Sequence, residues 1–315
     1  MKNTIRRVRE NRWTARVLPF LLLLIIAVFF TVATGGRFAS RGNFSTILSQ
    51  CLVTGIVATG ASFIFATGNI NVAMGATTAL TATLAAKVYL ATQSLAAMVI
   101  AAVVVGVLLM VISAVLSTVL KVRIMFVTIV MMVLLASIQA EIVGGSIIRM
   151  PYELVGPLQR SAVIYCVFLA FFVVCAVLFH FTSLGRDIKL LGANKTFAGL
   201  SGISESRYLM IAFIIAGVGV GIAALIVIIR SGSITNTTCS SLNMDVVLAL
   251  VLGGMPIVGG AKSKVYAGLL GALTVVVLNN GLLMMDISST IIQGVRGVLF
   301  LLLVLSTYEK PDTLP

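Results

Sequence analysis

Apolar residues form about ten long runs along this 315-residue chain, separated by short polar stretches. A helix needs about 20 mainly apolar residues to cross the ~30 Å hydrocarbon core of a bilayer. The runs are of that length and do not alternate between apolar and polar residues, so they predict an all-α polytopic membrane protein. The ten predicted transmembrane helices cover residues 17–34, 46–66, 70–87, 95–119, 124–143, 161–182, 208–229, 245–258, 266–285 and 290–307.

Charge supports this interpretation and orients the chain. Only 10% of residues are charged, and the mean hydropathy is +1.16. With the N-terminus inside, fifteen of the 22 Lys and Arg residues fall on the cytoplasmic side, which is the side that basic loops favour. Both termini are therefore predicted to be cytoplasmic, with a basic tail over 1–16, a transmembrane domain over 17–307 and a short tail over 308–315. The same bias accounts for the net charge of +13 without a nucleic-acid partner.

One polar interval interrupts the middle of the chain. Residues 183–207 contain LGRDIKLLGANKTFAGLSGIS and form the largest predicted internal cytoplasmic loop. Phe197, Leu200 and Ile203 recur at a spacing of three, which predicts a short amphipathic helix with one apolar stripe. That stripe has two interpretations: the helix lies on the lipid surface, or it docks onto a cytoplasmic partner.

Two predicted spans have glycine-rich ends. ATGNINVAMGA (66–76) and LGGMPIVGGAKSK (252–264) both contain a glycine followed seven residues later by Gly-Ala. Glycine and proline free backbone groups that lipid cannot satisfy, so such segments need a cover of protein or water. Paired Gly-broken segments in two halves of a chain point to a transport pathway, and the alternative is close helix packing by small residues.

The sequence offers little reactive chemistry. It has no carboxylate pair, no cysteine pair with metal-ligand spacing and no phosphate-binding glycine loop, so no catalytic residue, metal or cofactor is predicted. Any ATP would be bound by another polypeptide. Amides inside spans, at Asn279, Asn280 and Gln293, suit a hydroxylated solute or hydrogen bonds between helices. Arg296 is expected either to extend toward the membrane surface or to pair with Asp286 or Asp245.

Three stretches together resemble the permease subunits of bacterial ABC importers of the ribose/xylose/galactose type. Gly185-Arg186, Gly192-Ala193-Asn194 and 198–203 match that family's cytoplasmic loop. Residues 251–282, with LGG…GG…NNGL, match a second signature, and 66–82 resemble its T-G-G-I-D-L-S-x-G pattern. With 121–132, the resemblance covers roughly residues 45–307.

The resemblance implies a function for each part. The 17–307 segment would be a permease domain in the bacterial cytoplasmic (inner) membrane, paired with a second copy or a paralogue. Loop 183–207 would couple it to an ABC ATPase subunit, and an extracytoplasmic solute-binding protein would deliver a monosaccharide-like solute. The implied coupling residues are Gly185, Arg186, Gly192, Asn194, Ala198, Leu200, Ser201, Gly202 and Ile203. The candidate pathway residues are Asn69, Asn71, Gly75, Gly253, Gly254, Asn279, Asn280, Gln293 and Arg296.

The chain also departs from the family pattern. Asn69 and Asn71 replace a glycine and an acid, and Ala136-Ser137 stand where members often carry Arg-Gly. These changes leave the solute open, and they would suit one half of a heterodimer. The alternatives are an ABC permease for a nucleoside or a sugar-like signal molecule, a secondary carrier without an ATPase, and a membrane scaffold.

Overall fold

The computed structural model describes residues 14–160 and 162–307, so the C-terminal tail and most of the N-terminal tail lie outside it. Helices account for nearly all of the described chain. They are α1 (Thr14–Ala33), α2 (Arg41–Ala66), α3 (Met74–Thr92), α4 (Leu95–Leu120), α5 (Ile124–Val143), α6 (Tyr152–Arg160), α7 (Val163–Phe181), α8 (Ser183–Ala193), α9 (Lys195–Leu200), α10 (Glu205–Ser231), α11 (Leu242–Leu252), α12 (Val265–Met284) and α13 (Ser289–Thr307).

The core lies where α2, α10 and α12 meet. Most side chains of α2 and α10 are buried by protein, and α10 also packs on α4 and α3. The α4–α10 crossing is close because a Cβ on Gly106 would lie 2.7 Å from the Gly217 carbonyl oxygen. Small residues at such crossings bring two backbones into van der Waals contact, which drives helix association in lipid.

Helices α4, α5 and α7 surround this core and keep apolar side chains on their outer faces. Within the described residues, six helices are long and apolar enough to cross a membrane: α2, α4, α5, α7, α10 and α12. The predicted all-α membrane fold is therefore confirmed. The count of ten spans and the cytoplasmic location of both termini stay predictions.

Two small elements were not predicted. Strands β1 (Ile148–Arg149) and β2 (Ser233–Ile234) pair antiparallel, with Ile148 opposite Ile234. Helix α6 follows β1, and the Gln159 Nε2 donates to the Ile229 carbonyl oxygen at 2.8 Å near the end of α10. This cluster satisfies C-terminal carbonyl groups of α10 that have no partner within their own helix.

One predicted span is wrong in extent. The sequence predicts a single transmembrane helix over 245–258, but α11 ends at Leu252. Eleven helical residues extend about 16 Å, roughly half of the hydrocarbon thickness. The Gly-Gly-Met-Pro sequence ends the helix because Gly254 has a φ of +86° and Pro256 lacks an N–H donor.

Candidate transport and coupling site

The first glycine-rich segment, residues 66–76, is non-helical over 67–73, between α2 and α3. Asn71 is completely buried there, and its Oδ1 accepts a hydrogen bond from the Ala73 N–H at 2.8 Å. Its Nδ2 lies 3.6 Å from the Met110 sulfur on α4. This side chain fixes the backbone turn that begins α3, since Asn readily accepts from an N–H two residues later. Nearby, the Asn69 amide donates only to the Thr67 hydroxyl, at 2.9 Å.

The first turn of α3 is capped from a distant part of the chain. Asn243, on the first turn of α11, accepts from the Gly75 N–H at 2.7 Å and from the Ala76 N–H at 3.1 Å. A Cβ on Gly75 would lie 2.6 Å from the Cys239 carbonyl oxygen. The beginnings of two helices therefore meet directly. The sequence analysis selected Gly75 but missed Asn243. The one signal for Asn243 was an amide two residues before the predicted span 245–258.

An ion pair joins α11 to the last two long helices. Arg296 Nη1 on α13 lies 3.0 Å from Asp245 Oδ1, and both side chains are nearly buried, at 12% and 9% exposure. Arg296 Nε also donates to Asn279 Oδ1 on α12 at 2.7 Å, and the Ser241 hydroxyl donates to Asp245 Oδ2 at 3.2 Å. Of the two acids considered from sequence, the structure selects Asp245. Asp286 lies in an exposed turn.

The remaining pathway candidates do not join this polar cluster. Asn280 is buried, and among the described residues its Oδ1 has no hydrogen-bond partner. Gln293 is exposed on α13. The predicted pathway set therefore divides into four parts: the first glycine-rich segment, Gly253 and Gly254 in the second, the Asp245–Arg296–Asn279 cluster, and two separate amides.

The second glycine-rich segment, residues 253–264, contacts the first. The Gly260 N–H donates to the Ala66 carbonyl oxygen at 3.1 Å, and a Cβ on Gly259 would lie 2.5 Å from the Gly68 nitrogen. The two backbones are so close at this contact that no side chain would fit between them. Gly253 itself approaches the Ala267 backbone, and Gly254 is exposed, although a Cβ there would lie 3.3 Å from the Pro19 side chain.

The predicted loop 183–207 folds into two helices, α8 and α9, rather than the single helix that the sequence predicts. Helix α8 ends against both glycine-rich segments. A Cβ on Gly192 would collide with the Ala66 carbonyl oxygen and lie 2.7 Å from the Gly260 nitrogen. The end of α8 therefore lies in a notch lined by backbone atoms of Ala66, at the end of α2, and of Gly260 in the 253–264 segment.

Polar contacts hold α8 and α9 to the long helices. The Tyr208 hydroxyl donates to Asp187 Oδ2 at 2.6 Å, and Lys195 Nζ lies 2.5 Å from Glu205 Oε1. Lys189 Nζ donates to the Phe179 carbonyl oxygen at 3.1 Å, and partial burial lowers the pKa of this ammonium. A cation at the C-terminus of α7 also complements its helix dipole. The loop is therefore an ordered part of the fold.

Helix α9 presents an apolar tip. Asn194 Oδ1 accepts from the Phe197 N–H at 3.0 Å and caps the helix, and Ala198 is fully buried. Phe197 and Leu200 point outward, at 55% and 85% exposure. The predicted stripe is wrong at Ile203, which is half-buried and lies beyond the end of the helix.

The other loop residues have distinct surroundings. Gly185 is buried where a Cβ would collide with the Phe179 backbone, while Arg186 and Ser201 are exposed. Gly202 has a φ of +79°, and a Cβ there would meet no atom within 4 Å, so this glycine supplies the turn that leads into α10. Groups of three or more His, Cys, Asp or Glu that could hold a metal are absent from the described residues.

Long apolar helices, backbone-lined contacts between broken segments and an ordered polar loop define a membrane permease subunit. The chain belongs to the family described as "Branched-chain amino acid transport system / permease component", which matches residues 43–304. This match spans the loop, both glycine-rich segments and the Asp245–Arg296–Asn279 cluster.

Curated relatives extend over nearly the whole chain. It is 30% identical over 299 residues to the ribose import permease protein of Escherichia coli (strain K12), covering 92% of each chain. It is 28% identical over 317 residues to the ribose import permease protein of Bacillus subtilis (strain 168), covering 97% of this chain and 96% of the relative. The D-allose transport system permease protein of Escherichia coli (strain K12) is 26% identical over 276 residues, covering 86% and 84%. No solved structure matches the chain.

Proposed function

We propose that this chain is the non-catalytic permease subunit of an ATP-driven importer in a bacterial inner membrane, and that it forms the pathway for a monosaccharide-like solute. The full-length relatives carry ribose and allose in their names. Both are small, uncharged and rich in hydroxyl groups, which amide and hydroxyl side chains recognise. The proposal also includes ten crossings, one of them made by α11 together with the non-helical 253–264 segment, cytoplasmic termini and a second permease copy or paralogue.

The observation that carries the coupling proposal is the position of Gly192. Helix α8 leads directly into the exposed Phe197–Leu200 tip. Its last turn, at Gly192, lies against the carbonyl of Ala66 and the N–H of Gly260. A force applied at the tip would therefore reach both glycine-rich segments through short, backbone-only contacts. This provides a physical route from a separate ATPase to the pathway.

The tip suits a protein partner. Leu200 and Phe197 are large apolar side chains held outward by a capped helix that is fixed by Asp187–Tyr208 and Lys195–Glu205 pairs. Exposed apolar anchors on an ordered scaffold lose little conformational entropy on binding. By this proposal they enter a groove on the ATPase subunit.

The test is affinity purification of the chain and its Leu200→Asp variant from the native membrane, with identification of co-purifying proteins. We expect wild type to recover an ABC ATPase and Leu200→Asp to recover roughly tenfold less, because a carboxylate would have to be desolvated in an apolar contact. Val122→Asp is the matched control, since Val122 is exposed in the predicted cytoplasmic turn between α4 and α5. Equal recovery by both variants would place the docking surface elsewhere.

The solute is read from the same purification. A co-purifying solute-binding protein that binds a monosaccharide would support the proposal. A nucleoside, a sugar-like signal molecule or a branched-chain amino acid as its ligand would overturn the sugar assignment while retaining the importer. Recovery of the chain alone, under conditions that keep other importers intact, would favour a secondary carrier.

A further inference from the structure

A cleft lies between the C-terminal end of α1 and the N-terminal end of α2. Its volume is about 410 Å³, within the range of small-molecule sites. Its lining includes Ala27 and Thr31 on α1, the buried Phe38, and the exposed Phe44 on α2. The Thr31 hydroxyl donates its hydrogen to the Ala27 carbonyl oxygen at 2.7 Å, within α1, so it has no proton left to donate to a ligand in the cleft. The cleft is therefore apolar inside.

The surroundings of the cleft indicate contact with lipid. Val28 and Val32 on α1 are well exposed, and Phe44 on α2 is 67% exposed beside the cleft. Helix α1 packs mainly on α12, and the 3₁₀ segment Arg37–Ala39 contacts both α1 and α2. In a bilayer, a lateral apolar opening is filled by hydrocarbon, because an empty space would lose van der Waals contacts.

Positive charge marks the mouth of the cleft. Arg41 lines it, and Arg37 lies one turn earlier in the short 3₁₀ segment Arg37–Ala39. Both are exposed, and neither forms an ion pair with any described residue. Arg37 Nε donates to the Thr34 carbonyl oxygen at 3.3 Å, which leaves its two terminal nitrogens for a ligand. The sequence has no Asp or Glu at all from residue 11 to residue 140. These two guanidinium groups therefore lack any acid nearby in the sequence.

We propose that this cleft binds one anionic phospholipid, with an acyl chain along Ala27 and Phe38 and the phosphate near Arg37 and Arg41. The apolar interior accepts the chain of any phospholipid. The charge at the mouth selects the head group, because guanidinium groups form paired hydrogen bonds with phosphate oxygens and attract a net negative lipid. A zwitterionic lipid would fill the same space without that net attraction.

The experiment is native mass spectrometry of the intact protein released from nanodiscs that contain equal amounts of phosphatidylglycerol and phosphatidylcholine. We expect a bound phosphatidylglycerol in preference to phosphatidylcholine, and a loss of about fivefold in that preference for each of Arg37→Gln and Arg41→Gln. Lys87→Gln is the matched control, because Lys87 is an exposed cation on α3 away from the cleft. It should leave the preference unchanged.

A second variant tests the cleft itself. Ala27→Phe places a ring in the cavity, so it should reduce retention of both lipids at this site while the protein stays folded, which its melting curve would check. Equal retention of the two lipids by wild type would overturn the proposal. So would an unchanged preference in Arg37→Gln/Arg41→Gln, or full lipid retention by Ala27→Phe. These readouts are independent of transport and of ATPase binding.

Discussion

The carbonyl oxygen of Ala66 accepts a hydrogen bond from the N–H of Gly260 at 3.1 Å, so the end of α2 is joined directly to the segment that precedes α12. Gly192, at the end of α8, closes over the same carbonyl. Three parts of the chain that are far apart in sequence therefore meet at the Ala66 carbonyl group. By the proposed coupling, a movement of α8 would press on both of the other segments at this point.

The first prediction concerns this contact. Gly192→Val should lower transport roughly tenfold while the ATPase still co-purifies, because the new side chain collides with backbone at Ala66 and displaces α8 but leaves the Phe197–Leu200 tip intact. Solute uptake into proteoliposomes containing the assembled importer measures the effect. The control is Gly199→Ala, where a Cβ meets no atom within 4 Å. Full uptake by Gly192→Val would refute the coupling route.

The second prediction concerns the cap on α3. Asn243→Ala should destabilise the protein by about 1 kcal/mol, since two N–H groups at the start of α3 lose their acceptor. The midpoint of thermal unfolding in detergent reports the change. Asn69→Ala is the comparison, because that amide serves only the Thr67 hydroxyl and should change the midpoint much less. Equal shifts for both variants would show that the cap contributes little.

The third prediction is a double-mutant cycle on the buried ion pair. Asp245→Asn should cost about 3–5 kcal/mol, because Arg296 would stay buried without a counter-charge. Asp245→Asn combined with Arg296→Gln should recover most of that stability, since neither charge remains. Unfolding in increasing denaturant gives the free energy of unfolding for the wild type, Asp245→Asn, Arg296→Gln and the double variant.

Asp286→Asn is the control for this cycle. Asp286 is exposed and has a φ of +57°, a conformation that Asn tolerates as well as Asp does. Its replacement should change the unfolding free energy by less than about 0.5 kcal/mol. If it instead matched Asp245→Asn, the assignment of Asp245 as the partner of Arg296 would be wrong.

The fourth prediction separates the two faces of α9. Ala198→Glu should displace the helix and reduce both ATPase recovery and protein yield, because Ala198 is fully buried and a carboxylate there has no partner. Thr196→Glu, on the exposed side of the same helix, should leave yield unchanged. Pulse-labelled yield in membranes, measured beside ATPase recovery, distinguishes a folding defect from a docking defect.

The sequence predicted the membrane class well because a bilayer leaves few choices. Apolar runs must form helices there, and α4 and α5 correspond closely to predicted 95–119 and 124–143. The Arg296–Asp245 pair was one of three stated options, beside extension of Arg296 toward the membrane surface and pairing with Asp286, because a charge within a span needs a partner or a route to water. The resemblance to sugar importer permeases was confirmed by relatives that cover nearly the whole chain.

Two of the failures, at Asn243 and at α8, have one cause, which is that long-range contacts leave no local signal. Asn243 caps a helix 168 residues earlier in the chain, and no periodicity reveals that bond. The early end of α11 is a different case, because the break at 252–264 was recognised but the predicted span still continued to Val258, beyond the turn at Gly254. Helix α8 was missed because its apolar face serves contacts with α2, α7 and α10.

The half-length of α11 has a consequence for biosynthesis. A segment of about 16 Å covers only about half of the hydrocarbon core, so it is too short to leave the translocon as a stable span of its own. It must therefore enter the membrane only after α12 has emerged and α2 and α3 are already in place to receive it. The Asp245–Arg296 pair, which also needs α13, would be one of the last contacts to form in the newly made protein.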